Sequence, residues 1–456
     1  MTAMKTKLII PILALLFFTA CDIEEYNENP NVPEDVPFST LLPPTQKSLA
    51  DAQAGRLFRT TSIFSQQLKG VEGQEASIEV YNPDELFVGN EWSDIYVNAM
   101  INLRFIIDKA DAEGSPHYGG IARVQMAIAL GLLTDTWGDV PYTQALQGSE
   151  FPNPEYDGQE FLYSEIQSLL DRAISDLGQA ESVFTPTTDD LIYGGNLDSW
   201  QRAARVLKAR FYLRTTKRSP TAAADALEAL AAGGFTSANS DLAYQYLGTG
   251  TDANPIFSFY EITPRAFVDE DFSDLIEGLS DPREDFIFRS IPFSGGNKKP
   301  GDYLAENGSP VKLVSYLEEL FIRAEAQLRT SGAGSAQPLL EEAVRLSMDQ
   351  LSFGEISSED ADAYIANHVQ LSGDFDADLN VLIIQKYIAL FTSPEPWADF
   401  RRTDFPNLVP NPNGVSPSNP NGEIPRRLIY PQNERLQNSN FPSPAPNMQD
   451  RFWWDQ

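Results

Sequence analysis

The chain has 456 residues, room for roughly two to four ordinary domains, and 42% hydrophobic against 21% charged residues, so a large packed core is available. Lysine plus arginine number 33 against 65 acids, a formal charge of −32. That excludes nucleic acid and purely electrostatic docking on anionic lipid, because both need a cationic surface. The two histidines (His117, His368) and single cysteine (Cys21) leave almost no ligands for a zinc site and two possible bases for a Ser-His-Asp triad.

Met4 to Lys7 is a short basic stretch, and Leu8 to Ala20 is a 13-residue apolar run. A bilayer span needs about 20 apolar residues, so residues 1–20 read as a secretory signal peptide. The run ends Phe17-Phe18-Thr19-Ala20-Cys21, which resembles a bacterial lipobox with Phe18 where leucine is usual. Cys21 is therefore expected to be lipidated and to begin the mature chain. The acidic stretch Asp22 to Asn31 behind it reads as a solvated tether, extending to about residue 40. The anchor to the membrane is then lipid alone.

Beyond the tether, apolar residues recur at three- and four-residue steps. One stripe is Trp92, Ile95, Ala99, Leu103, Ile106 and Ala110; others run from Ile121 to Leu132, Leu162 to Leu177 and Trp200 to Phe211. A fifth runs from Val311 to Leu328, and Leu379, Ile383, Tyr387 and Phe391 close the set. Each stripe gives a helix one apolar face that a neighbour must cover. Short turns pair the helices: Gly114-Ser115-Pro116 divides 91–113 from 118–137, and Gly332-Ala333-Gly334 divides 312–329 from 338–351. Leu207 to Leu213 aligns with Ile322 to Leu328 about a shared alanine, Ala209 and Ala324, the small residue that lets tetratricopeptide helices approach closely. The period is interrupted by an irregular insertion, about 233–310, and by a proline-rich C-terminal tract, about 406–456, both expected to fold over the helices. Residues 41–456 thus read as one mainly helical domain.

Asp374 to Asn380 carries alternating acids, but Leu379 and Gln385 stand where a calcium loop needs glycine and glutamate. It reads as the acidic N-terminus of a helix starting near Asp378. The adjacent pairs Glu24-Glu25, Glu318-Glu319 and Glu341-Glu342 do not face each other on a helix, so no glycosidase dyad is assigned. No catalytic residue, metal or cofactor is expected. Aromatics in the irregular tracts are the candidates for ligand contact, because ring faces offer apolar area at low entropy cost. Tyr81, Tyr260, Phe267 and Tyr303 form the candidate set.

Tyr316 to Ala326, Gln385 to Phe391, Pro396 to Thr403 and Ile424 to Pro431 are similar to signature segments of SusD/RagB-like lipoproteins. Asn29-Pro30-Asn31, Asp135 to Tyr142 and Asp281-Pro282-Arg283 match as well. The resemblance implies tetratricopeptide-like pairs in a right-handed superhelical scaffold, with the signature residues maintaining the fold. It implies a Bacteroidetes lipoprotein on the outside of the outer membrane, without catalysis. Its partner would be a SusC-like TonB-dependent transporter, and its ligand an oligosaccharide or, as the runner-up, a peptide. A helical-repeat adaptor binding only proteins and a surface hydrolase are the competing readings. Cys21→Ala is expected to release the protein from the membrane fraction on cell fractionation; unchanged retention would contradict lipid anchoring.

Overall fold

The computed structural model describes residues 36–456, except Phe293 and the side chain of Ser149. The signal peptide, Cys21 and the tether as far as residue 35 lie outside the described residues. Helix α1 (Phe38–Ala52) begins inside the stretch read as tether, and a π-turn at Gln53–Leu57 carries it into α2 (Phe58–Phe64). After strand β1 (Leu68–Gly70) come α3 (Gly73–Glu79) and α4 (Glu85–Ser93). A second π-turn, Asp94–Met100, joins α4 to α5 (Ile101–Glu113). The scaffold continues with α6 (Pro116–Trp137), α7 (Gln159–Leu177), α8 (Leu197–Arg214) and α9 (Ala222–Ala231).

These helices pack in sequence order, each antiparallel hairpin partner covering the stripe of the one before. The expected turn between α5 and α6 is present: Gly114 takes a left-handed φ of 67°, and Pro116 opens α6 where no N–H is needed. The stripes are the buried faces, with Ile95, Ala99, Leu103, Ile106 and Ala110 all buried on the first. Helix α6 differs from a one-faced helix. It is buried almost all round because α1, α5, α7 and α8 cover it, and glycine makes that possible. A Cβ at Gly131 would stand 2.4 Å from the Phe211 ring, and one at Gly120 2.6 Å from Leu177.

The insertion is more regular than its composition suggests. Strand β2 (Leu242–Tyr244) pairs antiparallel with β6 (Val311–Val314), so the chain leaves and re-enters the scaffold at one ribbon. Between them lie α10 (Pro255–Ile262), β3 (Ala266–Val268), α11 (Glu270–Gly278) and α12 (Glu284–Ile287). The ribbon of β4 (Phe288–Ser290) with β5 (Lys298–Pro300) and helix α13 (Asp302–Ala305) complete it. Strand β3 pairs with β1, tying the insertion to the N-terminal helices. The helix expected from residue 312 starts instead as α14 (Tyr316–Ser331), because Val311–Val314 belongs to the β2–β6 ribbon and Ser315 caps the helix.

Gly332 alone separates α14 from α15 (Ala333–Ser352), a tighter turn than the three residues expected. Then follow α16 (Ser358–His368), α17 (Phe375–Ala389) and α18 (Glu395–Thr403). Asp374 caps α17 by accepting the Ala377 N–H, and Asp378 accepts from Ser372 and Gly373. Asp374 and Asp378 are thus bonded to backbone and hydroxyl donors, and the helix begins three residues before Asp378. The C-terminal tract, with α19 (Gln432–Gln437), lies on the scaffold as expected. Trp137 and Trp397 donate their indole N–H to the carbonyls of Ile429 and Pro425, and Leu428 donates to Thr136.

The signature segments form a buried ionic chain. Arg210 of α8 grips Glu318 of α14 through two bonds of 2.6 and 2.5 Å. Arg214 reaches Glu395 at 2.8 Å and Asp135 at 3.3 Å. Lys386 pairs with Asp399 at 2.8 Å, and Arg402 bonds both Asp399 and Glu325. Burial works against charge on Glu325, but Arg402 and Arg329 outweigh it and hold the carboxyl at about 2. Arg401 has no carboxylate partner among the described residues; it lies 3.5 Å over the Trp397 ring and donates to the Asp135 and Arg426 carbonyls.

Arg402→Ala is expected to cost about 3 kcal/mol in urea unfolding, because it takes from two buried carboxylates, Glu325 and Asp399, one of the two cations that each holds. The depressed Glu325 pKa stabilises the fold above the ordinary glutamate value of about 4.3, and that contribution is lost as pH falls toward about 2. The gap between wild type and variant should therefore narrow on acidification; a constant gap would contradict the assignment.

Candidate functional site

The four expected aromatics fall in different places. Tyr81, at φ 53°, is 2% exposed and packs edge-on against Phe64. Its hydroxyl accepts the Asn411 N–H at 3.0 Å, and its carbonyl accepts the Ser416 hydroxyl. It pins the C-terminal tract, and a covered ring has no face for a ligand. Tyr260 lies on the buried side of α10, 6% exposed, its hydroxyl without a partner among the described residues, and burial pushes that hydroxyl well above the ordinary tyrosine value. The expectation that these two rings line a binding surface is corrected by burial. Phe267 is half-buried in β3, opposite Lys69 of β1.

Tyr303 is the exception. It stands half-buried on α13 and lines a cavity of about 80 Å³ between the insertion, α15 and the loop after α17. Its hydroxyl accepts from Lys312 at 2.7 Å and donates to Gln350 Oε1 at 3.0 Å. Lys312 projects from β6, where register with β2 places it 2.9 Å from Asp241. Burial lowers the Lys312 pKa, but Asp241 and Tyr303 more than offset it and leave it above the ordinary lysine value. Cation and anion cancel at this wall. Lys298 and Lys299, the basic residues of the neighbouring ribbon, lie 3.6 Å from Glu284 and 3.9 Å from Glu261.

Sequence periodicity does not single out Phe353. Its ring meets Tyr303 edge-on at 5.8 Å and is 69% exposed. Phe353 ends α15 in the left-handed conformation, φ 54° and ψ 32°, a place that favours glycine. By spacing it reads as one more apolar residue after Val344, Met348 and Leu351, and Gly354 would be the expected cap. A bulky residue held in that conformation, with little packing in return, is the kind of strain that clusters at ligand sites. A second such residue, Thr392 at φ 78°, lines the cavity itself.

The two histidines are engaged structurally. His117 bonds the Gln179 carbonyl and the Thr185 hydroxyl, and His368 packs on Tyr364. Among the described residues, no group of three or more His, Cys, Asp or Glu side chains could hold a metal ion. Likewise no described helix is long and apolar enough to cross a membrane.

A family model described as SusD-like, starch-binding and associating with the outer membrane matches residues 30–431. The chain belongs to the SusD-like family. Solved structures of similar fold include a SusD/RagB family protein from Bacteroides thetaiotaomicron, with 24% identity and a TM-score of 0.77, covering 92% of this chain and 99% of that one. A chitin-binding SusD homologue from Flavobacterium johnsoniae shows 23% identity and a TM-score of 0.80, covering 92% and 98%. A SusD homologue from Bacteroides uniformis shows 21% identity and a TM-score of 0.77, covering 91% and 99%. No curated protein matches the sequence.

Phe353→Asn is expected to fold normally and to raise stability by about 0.5–1 kcal/mol in urea unfolding, since asparagine tolerates the left-handed region better. A loss of stability would mean that the phenylalanine ring is held there for packing.

Proposed function

We propose that this SusD-like protein captures a neutral oligosaccharide outside the cell and passes it to a TonB-dependent outer-membrane transporter, without catalysis. In this reading Cys21 carries the lipid that holds the chain at the membrane. The observation that carries the ligand class is the corner of Tyr303 and Phe353, a half-buried and an exposed ring meeting edge-on beside a cavity whose charged lining residues, Lys312 and Glu318, are both paired. Sugar rings suit such a corner because their C–H faces stack on aromatics while their hydroxyls stay hydrated. The starch-binding description of the family and the chitin-binding relative support a polysaccharide-derived ligand. An overall charge of −32 disfavours sulfated and uronic chains. The structural engagement of both histidines supports binding without chemistry.

Calorimetry against neutral glycans, acidic glycans and peptides tests the reading. A neutral glycan should bind, and Phe353→Ala with Tyr303→Ala should weaken it about tenfold or more. Binding of peptides alone, or unchanged affinity in the double variant, would overturn it.

A further inference from the structure

Glu91 lies on α4, three residues before the second π-turn, and is 4% exposed. Its Oε2 is buried and has no hydrogen-bond partner among the described residues. A neutral carboxyl in such a place forgoes one hydrogen bond, whereas an ionised one leaves a buried charge unpaired, which costs far more. Two arginines act on it, both around the first π-turn. Arg59 of α2 is already committed: it meets Glu75 of α3 at 3.0 Å, donates to the Gly55 carbonyl at 3.1 Å and lies 4.4 Å over the Phe259 ring. Arg56, inside the π-turn, is half-buried, and its one side-chain hydrogen bond among the described residues runs to Gln74 Oε1 at 3.4 Å. Gly55 just before it breaks the helix with a ψ of −116°, and a Cβ there would meet nothing within 4 Å. The loosely held cation thus sits on an irregular turn with open space beside it, and π segments recur at functional positions in helices.

We propose that Glu91 and Arg56 form a proton-operated latch: protonated Glu91 leaves Arg56 on Gln74, and ionised Glu91 draws it inward, tying the first π-turn to α4. The latch is independent of the ligand class. The other charges around Glu91 leave Arg56 as its partner. Asp94 of the second π-turn is half-buried and of the same sign, and Asn98 donates to it at 3.1 Å. Asp51 of α1 is held by Lys47 at 2.8 Å. On α19, which packs on α4, Arg435 pairs with Glu85 at 2.6 Å and Glu434 accepts from Tyr156. Burial pushes the Glu91 carboxyl up to about 7, opposed by Arg56 and Arg59 and assisted by Asp94. The folded chain therefore holds a proton that the unfolded chain releases near the ordinary glutamate value of about 4.3. The stability this gives is complete below about 4.3 and is lost as pH rises from there through about 7.

The test is urea unfolding of the mature chain across pH 4 to 9, wild type against Glu91→Gln, whose amide cannot ionise. Relative to that variant, the wild-type folding equilibrium constant should fall about a hundredfold or more as pH rises to 7, then run parallel. Arg56→Met removes the cation that meets the ionised form, so its fall should continue to higher pH than in wild type. Carboxyl-labelled glutamate NMR on the wild type reads the proton directly: one resonance should titrate near pH 7 and be missing from Glu91→Gln. Wild type parallel to Glu91→Gln at every pH, or no glutamate titrating near 7, overturns the proposal. An Arg56→Met curve that falls over the wild-type range overturns the latch, since Arg56 then plays no part in meeting the charge.

Discussion

The structure depends on the buried ionic chain that joins α8, α14, α17 and α18. Arg210, Arg214, Lys386 and Arg402 alternate with Glu318, Glu395, Asp399 and Glu325, and all eight are buried. Desolvating so many charges is expensive, and only close, multiply bonded geometry recovers the cost. That geometry demands that four helices keep fixed spacing and register. The network therefore acts as a constraint on how the helices meet, while the apolar stripes supply most of the driving force for burying them. Arg401 extends the constraint to the C-terminal tract by donating to the Arg426 carbonyl while Trp397, Phe452 and Trp454 surround its guanidinium.

The same network supports the candidate site. Glu318 forms part of the cavity wall, and Arg210 holds it while also donating to the Leu313 carbonyl of β6. The next residue along that strand, Lys312, meets Tyr303, Gln350 and Asp241. Thr392 lies three residues before Glu395, so α18 and its ion pairs fix the backbone on which Thr392 is strained. Left-handed Thr392 at the cavity, and Phe353 beside Tyr303, persist because the elements around them are held rigidly.

The insertion shows how a loop-rich segment becomes a platform. Its ends meet in the β2–β6 ribbon and its middle is tied to β1 through β3. Several of its aromatics are spent on this docking. Tyr244 and Tyr246 are buried, with the Lys47 ammonium over both rings and the Tyr246 hydroxyl donating to Asp51. Tyr303 stays half-open, at the edge where insertion and scaffold meet.

By itself the sequence determined the helical class, the stripes that became buried faces, the turn at Gly114 and the covering role of the C-terminal tract. These are local: a 3.6-residue period, a left-handed glycine and a proline at a helix start are set by near neighbours in the chain. The signature acids and arginines were legible as structural, though not their pairing, since Arg210 and Glu318 are 108 residues apart. Tertiary structure alone decided the site. Tyr81 and Tyr303 look alike in sequence, both aromatics in irregular text, but Asn411 and Gly414 cover the first from 330 residues away. Phe353 carries no local mark, because its left-handed backbone and exposed ring arise where α15 ends beside α13. Burial and backbone strain are properties of packed surfaces, and those come into being only when distant segments meet.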